Sequence, residues 1–88
     1  MLTIHKFQLE ITFHQIIEVR EGAKILHADN QNGMLCIWVM LDTNAPTVQK
    51  RFRIYGTGHS IPTDLNLTHI GSVLMGAFVW HVFEDSFI

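Results

Sequence analysis

The residues best suited to bind a charged ligand lie around two glycines in the segment FRIYGTGHSIP, residues 52–62. Arg51, Arg53 and Tyr55 alternate along the chain just before the glycines, so they would share one face of an extended strand. Arginine binds phosphate or carboxylate through paired hydrogen bonds, and a tyrosine ring can stack on a base. The sequence therefore predicts a site for a small anionic ligand where this strand enters the glycine turn.

The glycine turn adds further groups to this predicted site. Gly56, Thr57 and Gly58 would present consecutive backbone N–H groups to an anion, His59 would add a hydrogen bond, and Trp80 would offer a second ring for stacking. The turn lacks the third glycine of a dinucleotide-binding motif and the Gly-Lys-Ser/Thr of a phosphate-binding loop. A structural alternative stays open, in which the glycines only let the chain bend and the arginines form a solvated face.

The six histidines raise the question of metal binding or catalysis. His59, His69 and His81 would converge if the last three strands are neighbours, but their spacings match no zinc pattern. A base and a nucleophile occur as sequence neighbours, as in His59 with Ser60, where consecutive strand residues point to opposite faces. We therefore predict no metal, no cofactor and no catalytic residue, with a small metal-dependent hydrolase as the least favoured function. Cys36 lies in an apolar segment and is expected in the core.

A β-sheet is needed to position these residues, and the sequence predicts about seven short strands. Apolar and polar residues alternate in TIHKFQLEI and VQKRFRIY with the period of two that is typical of a strand. Asn32-Gly33 suits a two-residue type I′ hairpin turn, and Met75-Gly76 indicates a second hairpin. No segment carries an apolar stripe of helical period. We expect an all-β fold, a small antiparallel sandwich, roll or barrel, in a single domain over residues 1–88.

Composition narrows the possible partners. The chain is 48% hydrophobic and 16% charged with a net charge of −2, which argues against disorder and against nucleic acid as a partner. One cysteine excludes an internal disulfide, and no apolar run approaches the length of a membrane span, so we expect a cytoplasmic protein.

The segments MLCIWVML and AFVWHVF are apolar on both faces. We therefore expect a homo-oligomer, with central strands capped by loops as the alternative.

The segments RFRIYGTGHSIP, HIGS and FVWHVFE, with TIHKFQLEI and EGAKIL nearer the start, resemble a family of small, mostly uncharacterised proteins of tailed bacteriophages and prophages. The resemblance runs over nearly the whole chain. Small accessory phage proteins are often non-enzymatic inhibitors of host defence, and some of similar size are oligomers that sequester nucleotide signals. The resemblance implies a counter-defence protein in the cytoplasm of an infected bacterium. It would bind a nucleotide-derived signal or, as the alternative, a host defence protein through its apolar strand faces.

Overall fold

The computed structural model describes residues 1–86, in which seven strands form two antiparallel sheets. Sheet A has the strand order β1-β4-β3, and sheet B has the order β2-β5-β7-β6. The predicted all-β class with about seven strands is confirmed, and the arrangement is a small two-layer sandwich. The strands are β1 Leu2–Leu9, β2 Gln15–Arg20, β3 Lys24–Gln31, β4 Met34–Asp42, β5 Thr47–Gly56, β6 Leu67–Met75 and β7 Phe78–Asp85.

Two of the tight turns agree with the residues that predicted them. Asn32 and Gly33 have φ angles of 54° and 81°, the positive values that a type I′ turn requires, and they join β3 to β4. Gly76 has a φ of 62° and begins the two-residue turn between β6 and β7, whereas Met75 of the predicted pair is the last residue of β6. Residues 1–86 form no helix, so this part of the chain has no helix that could cross a membrane.

The core lies between the two sheets and comes from alternate residues of their inner faces. Because side chains along a strand alternate between faces, every second residue of β4 from Leu35 to Leu41 is buried here, as are Phe52 and Ile54 on β5. Burying these apolar side chains is the main source of stability. The largest fully buried side chains are Leu35, Ile37 and Val39 on β4, Phe52 and Ile54 on β5, Val73 on β6 and Val82 on β7.

The second apolar face of β4 is partly covered by the protein's own side chains. Cys36 is buried there, which confirms its predicted burial but places it outside the core between the two sheets. The Lys6 ammonium on β1 donates to Gln31 Oε1 on β3 at 2.6 Å, so this pair spans β4. β4 is the central strand of sheet A, and β7 is an inner strand of sheet B. The alternative to a homo-oligomer, in which the two apolar segments are central strands, requires these positions.

The two sheets approach closely at one edge, where β3 lies beside β6. The register of β6 shifts between His69 and Gly71. A Cβ atom placed on Gly71 would lie 3.5 Å from the Cβ atom of Ala28 on β3, which is ordinary van der Waals contact. The glycine therefore leaves room at this point for one methyl group and little more.

A pair of substitutions at Gly71 tests this close approach. Gly71→Ala should leave the free energy of unfolding within about 1 kcal/mol of the parent, since its Cβ fits. Gly71→Val should lower it by about 1 to 3 kcal/mol, because the extra methyl groups would push β6 away from Ala28. Urea unfolding of the two variants measures the difference. Equal stability of the valine and alanine variants would show that this edge of the sandwich opens without cost.

Candidate ligand-binding site

β5 ends in a turn that determines the position of His59. The His59 N–H donates to the Gly56 carbonyl oxygen at 3.0 Å, and the Gly56 N–H donates to His59 Nδ1 at 3.0 Å. Gly58 has a φ of 91°, as the third residue of a type II turn requires. The Thr57 N–H donates to the Val79 carbonyl oxygen on β7 at 3.3 Å. Of the N–H groups in the predicted cradle, only that of Gly58 lacks a partner within residues 1–86.

Glycine is favoured at position 56 for a different reason from that at position 58. A Cβ atom on Gly56 would lie 3.1 Å from both His59 Cε1 and Trp80 Cζ3, so the two rings would have to move by a few tenths of an ångström to admit it. The glycine therefore lets the two rings approach the backbone of β5, and their centroids are 6.1 Å apart. His59 and Trp80 are thus brought together, as the sequence predicts for a binding site.

Aromatic rings form a continuous row around the end of sheet B. Phe13 joins two of its rings, stacked on Tyr55 with centroids 5.6 Å apart and edge-on to His59 at 5.6 Å. Trp80 follows His59, and Phe78 follows Trp80 at 6.0 Å. Phe13 belongs to the connection between β1 and β2, which is held against β5 because the Ile54 N–H donates to the Thr12 carbonyl oxygen at 3.2 Å. We call these five rings the aromatic row.

A cleft of about 460 Å³ opens beside the aromatic row. Its walls are mostly apolar, and its volume lies within the range of roughly 300 to 1,000 Å³ of small-molecule sites. Phe13 is 57% exposed at its mouth, a large exposure for an aromatic side chain. This aromatic cleft is lined by Ile11, Thr12, Phe13, His14, Ile54, His59 and Trp80.

A smaller cavity of about 170 Å³ lies on the other side of Phe13. We call it the Arg53 cavity. Arg53 and Tyr55 are on the outer face of sheet B, whereas Ile54 and Trp80 are on its inner face, so the two cavities are separated by the sheet and by the Phe13 ring that both contact. The Arg53 cavity is lined by Phe13, Arg53, Tyr55, Ser60 and Pro62.

Both predicted arginines lie against the carboxylate of Asp85 on β7. The Arg53 Nε donates to Asp85 Oδ2 at 2.8 Å, and Arg51 Nη1 lies 3.8 Å from the same oxygen. The hydrogen bond to Asp85, which is only 4% exposed, raises the pKa of Arg53 above its usual value. The adjacent Tyr55 side chain adds to this rise, yet its buried hydroxyl makes no hydrogen bond of normal geometry within residues 1–86. Arg53 is therefore charged at every accessible pH.

The remaining predicted residue, Thr57, belongs to a hydrogen-bonded chain on the outer face of sheet B. Thr57 Oγ1 lies 2.8 Å from His81 Nε2, and His81 Nδ1 lies 2.7 Å from Ser72 Oγ. Ser72 Oγ lies 3.0 Å from His69 Nε2. The histidines of β6 and β7 are therefore joined through a serine hydroxyl. Within residues 1–86 no three metal-ligating side chains are grouped to hold an ion.

The sequence matches a known family model over residues 1–87, that of the Domain of unknown function (DUF7352). The chain belongs to this family. No curated protein and no solved structure matches it. For this DUF7352 chain, function is therefore inferred from the geometry of the site itself.

The DUF7352 structure divides the predicted site residues into two groups. Arg53 and Tyr55 border the Arg53 cavity, while His59 and Trp80 border the aromatic cleft. Phe13, which contacts both cavities, was missed by the sequence analysis. It lies in a connection without periodic pattern, so no local signal distinguishes it from an ordinary exposed phenylalanine. Arg51, Gly56, Thr57 and Gly58 line neither cavity.

Proposed function

We propose that this DUF7352 chain is a non-enzymatic binding protein that takes up a small anionic ligand of the nucleotide class. The proposal depends on one observation, that Phe13 is a shared wall of the aromatic cleft and the Arg53 cavity. A base in the cleft would lie against Phe13 and Trp80, and a phosphate would reach Arg53 around the same phenylalanine. Stacking of a base on an aromatic side chain contributes about 1 to 3 kcal/mol.

His59 supplies a hydrogen-bond donor that suits this ligand. Its Nδ1 accepts the Gly56 N–H, so in the neutral ring the proton resides on Nε2. The ring also lies between Phe13 and Trp80 in the aromatic row. His59 is thus held as part of the cleft wall, with a donor directed away from the backbone it caps. A fixed ring with one outward N–H recognises a base edge or a phosphate oxygen and needs no proton transfer.

In the setting that the phage resemblance implies, the ligand is a nucleotide-derived signal of a bacterial defence system. The protein acts by sequestration, keeping the signal from its receptor without breaking a bond. It works in the cytoplasm of the infected cell, as a homo-oligomer. The resemblance supports this biological role, and the aromatic cleft with the guanidinium beside it supports the ligand class.

Binding of nucleotides and nucleosides separates the two halves of the proposed site. We expect a mononucleotide or cyclic dinucleotide from a test panel to bind in calorimetry, and the matching nucleoside to bind more weakly because it lacks the phosphate. Arg53→Met should weaken nucleotide binding about 10- to 100-fold, the value of a charged hydrogen bond, and leave nucleoside binding unchanged. Phe13→Ala should weaken both by about 10-fold or more.

Lys50→Met is the matched control for loss of a cation, since Lys50 pairs with Glu84 at 3.3 Å and lines neither cavity. It should bind both ligands like the parent. Arg53→Lys keeps the positive charge beside Asp85 but lacks the guanidinium fork. If this variant unfolds like the parent and still binds the nucleotide more weakly, the loss of binding does not follow from unfolding. The proposal is wrong if no panel member binds and if the purified protein releases no phosphate-containing molecule on denaturation. A protein partner would then be the better hypothesis.

A further inference from the structure

The outer edge of sheet A leaves backbone groups of β1 without a neighbouring strand. β1 pairs with β4 on one side and ends the sheet on the other. The Thr43 N–H donates to the Met1 carbonyl oxygen at 2.9 Å, which continues the β1–β4 ladder and places its hydrogen-bonded pairs at odd-numbered residues of β1. In an antiparallel ladder the residues between such pairs turn their N–H and C=O groups the other way. Those of Leu2, Ile4, Lys6 and Gln8 therefore face the open edge.

A side chain takes the place of a partner strand at one end of this edge. The Glu10 N–H donates to Gln15 Oε1 at 2.9 Å, and Gln15 Nε2 donates to the Glu10 carbonyl oxygen at 2.6 Å. One amide thus makes both bonds that a neighbouring strand would make to Glu10. Within residues 1–86 no group does the same for the open edge from Leu2 to Gln8.

The side chains along the open edge are apolar near its beginning. Leu2 and Ile4 are 67% and 53% exposed, and they point to the outer face of sheet A. A cavity of about 380 Å³ lies beside them, lined by Leu2, Thr3, Ile4 and Met40. An eight-residue edge strand with exposed apolar side chains favours pairing with another strand.

We propose that β1 pairs antiparallel with β1 of a second copy, with the two-fold axis at Ile4. This register sets Ile4 opposite Ile4 of the second copy and Leu2 opposite the aliphatic stem of Lys6. Leu2, Ile4 and Lys6 form three bonded pairs of two hydrogen bonds each. A two-fold axis at Lys6 would instead place two like charges directly opposite, which destabilises a sheet. The two copies of sheet A then form one continuous sheet of six strands.

This pairing goes beyond the proposed ligand site and is independent of it. The aromatic cleft involves residues 11–14, after the end of β1, and the Arg53 cavity lies on sheet B. The dimer therefore leaves both cavities of each copy accessible. Ligand binding and dimerisation can be lost separately by substitution.

Sedimentation velocity of the full chain over a concentration series tests the proposal. We expect the parent to dimerise and Ile4→Lys to raise the dimer dissociation constant at least about 10-fold, because two charges would meet at the axis. Leu26→Lys is the matched control, since Leu26 is 44% exposed on β3, away from the β1 edge, and its variant should dimerise like the parent. A cooperative unfolding transition of Ile4→Lys, matching that of the parent at concentrations where both are monomeric, shows that the monomer is folded.

A short thiol crosslinker tests the register. Ile4→Cys should crosslink to its copy, because residues directly opposite in an antiparallel pair have Cβ atoms about 5 Å apart. Gln8→Cys, on the same edge, would lie beyond the paired segment and should not. The proposal is overturned if the parent stays monomeric at its highest soluble concentration, if Ile4→Lys dimerises like the parent, or if the two cysteine variants crosslink equally.

Discussion

Asp85→Ala is expected to lower the free energy of unfolding by about 3 kcal/mol, the usual cost of leaving a buried charge without its partner. Asp85 is almost fully buried, and its Oδ2 accepts the Arg53 Nε hydrogen bond at 2.8 Å while Arg51 lies 3.8 Å away. Arg53 is itself largely buried, so its guanidinium would not recover full hydration after the carboxylate is removed. Guanidinium chloride unfolding measures the loss.

Two further variants separate the charge from the packing at this site. Asp85→Asn keeps the shape and one oxygen acceptor, so it should cost less than Asp85→Ala. The double variant Arg53→Met with Asp85→Ala should be less destabilised than the sum of its single variants, because it removes the unpaired charge together with its partner. A loss below about 1 kcal/mol for Asp85→Ala would contradict the prediction, since that is the range of exposed ion pairs.

Trp80→Ala is expected to weaken nucleotide binding about 10- to 100-fold, if the aromatic cleft holds a base, because the variant removes one of the two stacking walls. The same change should lower the free energy of unfolding by about 2 kcal/mol, since Trp80 is half-buried and packs against the core. Calorimetry with the panel ligand and urea unfolding give the two quantities.

Trp38 provides the matched control for this prediction. It is also half-buried, but it lies on the outer face of sheet A with its ring 5.9 Å from that of His27. Trp38→Ala should cost similar stability and leave ligand binding unchanged. In a Trp38→Phe background, Trp80 is the only remaining tryptophan, so its fluorescence reports the cleft directly. Equal loss of binding in the two alanine variants would place the ligand elsewhere or reflect general unfolding.

The strands and hairpins were predictable because their signals are local. Alternation along β1 and β5 repeats every two residues, which is the geometry of the strand itself. Asn32 and Gly33 adopt the positive φ angles that their residue types tolerate best. Since neighbouring residues suffice for these choices, the all-β fold with about seven strands followed from the sequence.

Several residues of the site could be predicted, but their division between the two faces of sheet B could not, because strand pairing is not a local property. β7 lies between β5 and β6, and its register sets Gly56 opposite Trp80 and Tyr55 opposite His81. Consecutive positions face opposite sides of a sheet, so this register places Trp80 on the inner face and Tyr55 on the outer face. The sequence analysis had placed the arginines and Trp80 around one ligand without this division.

The sequence by itself thus determined the strands, the turns and the chemistry available at the end of β5. The tertiary structure alone decided that Asp85 neutralises part of the arginine charge, that Phe13 stands between two cavities, and that β1 ends a sheet. The physical reason is the distance along the chain. Backbone conformation is selected by neighbouring residues, whereas contacts between distant strands depend on how whole faces pack and which registers bury the most apolar surface.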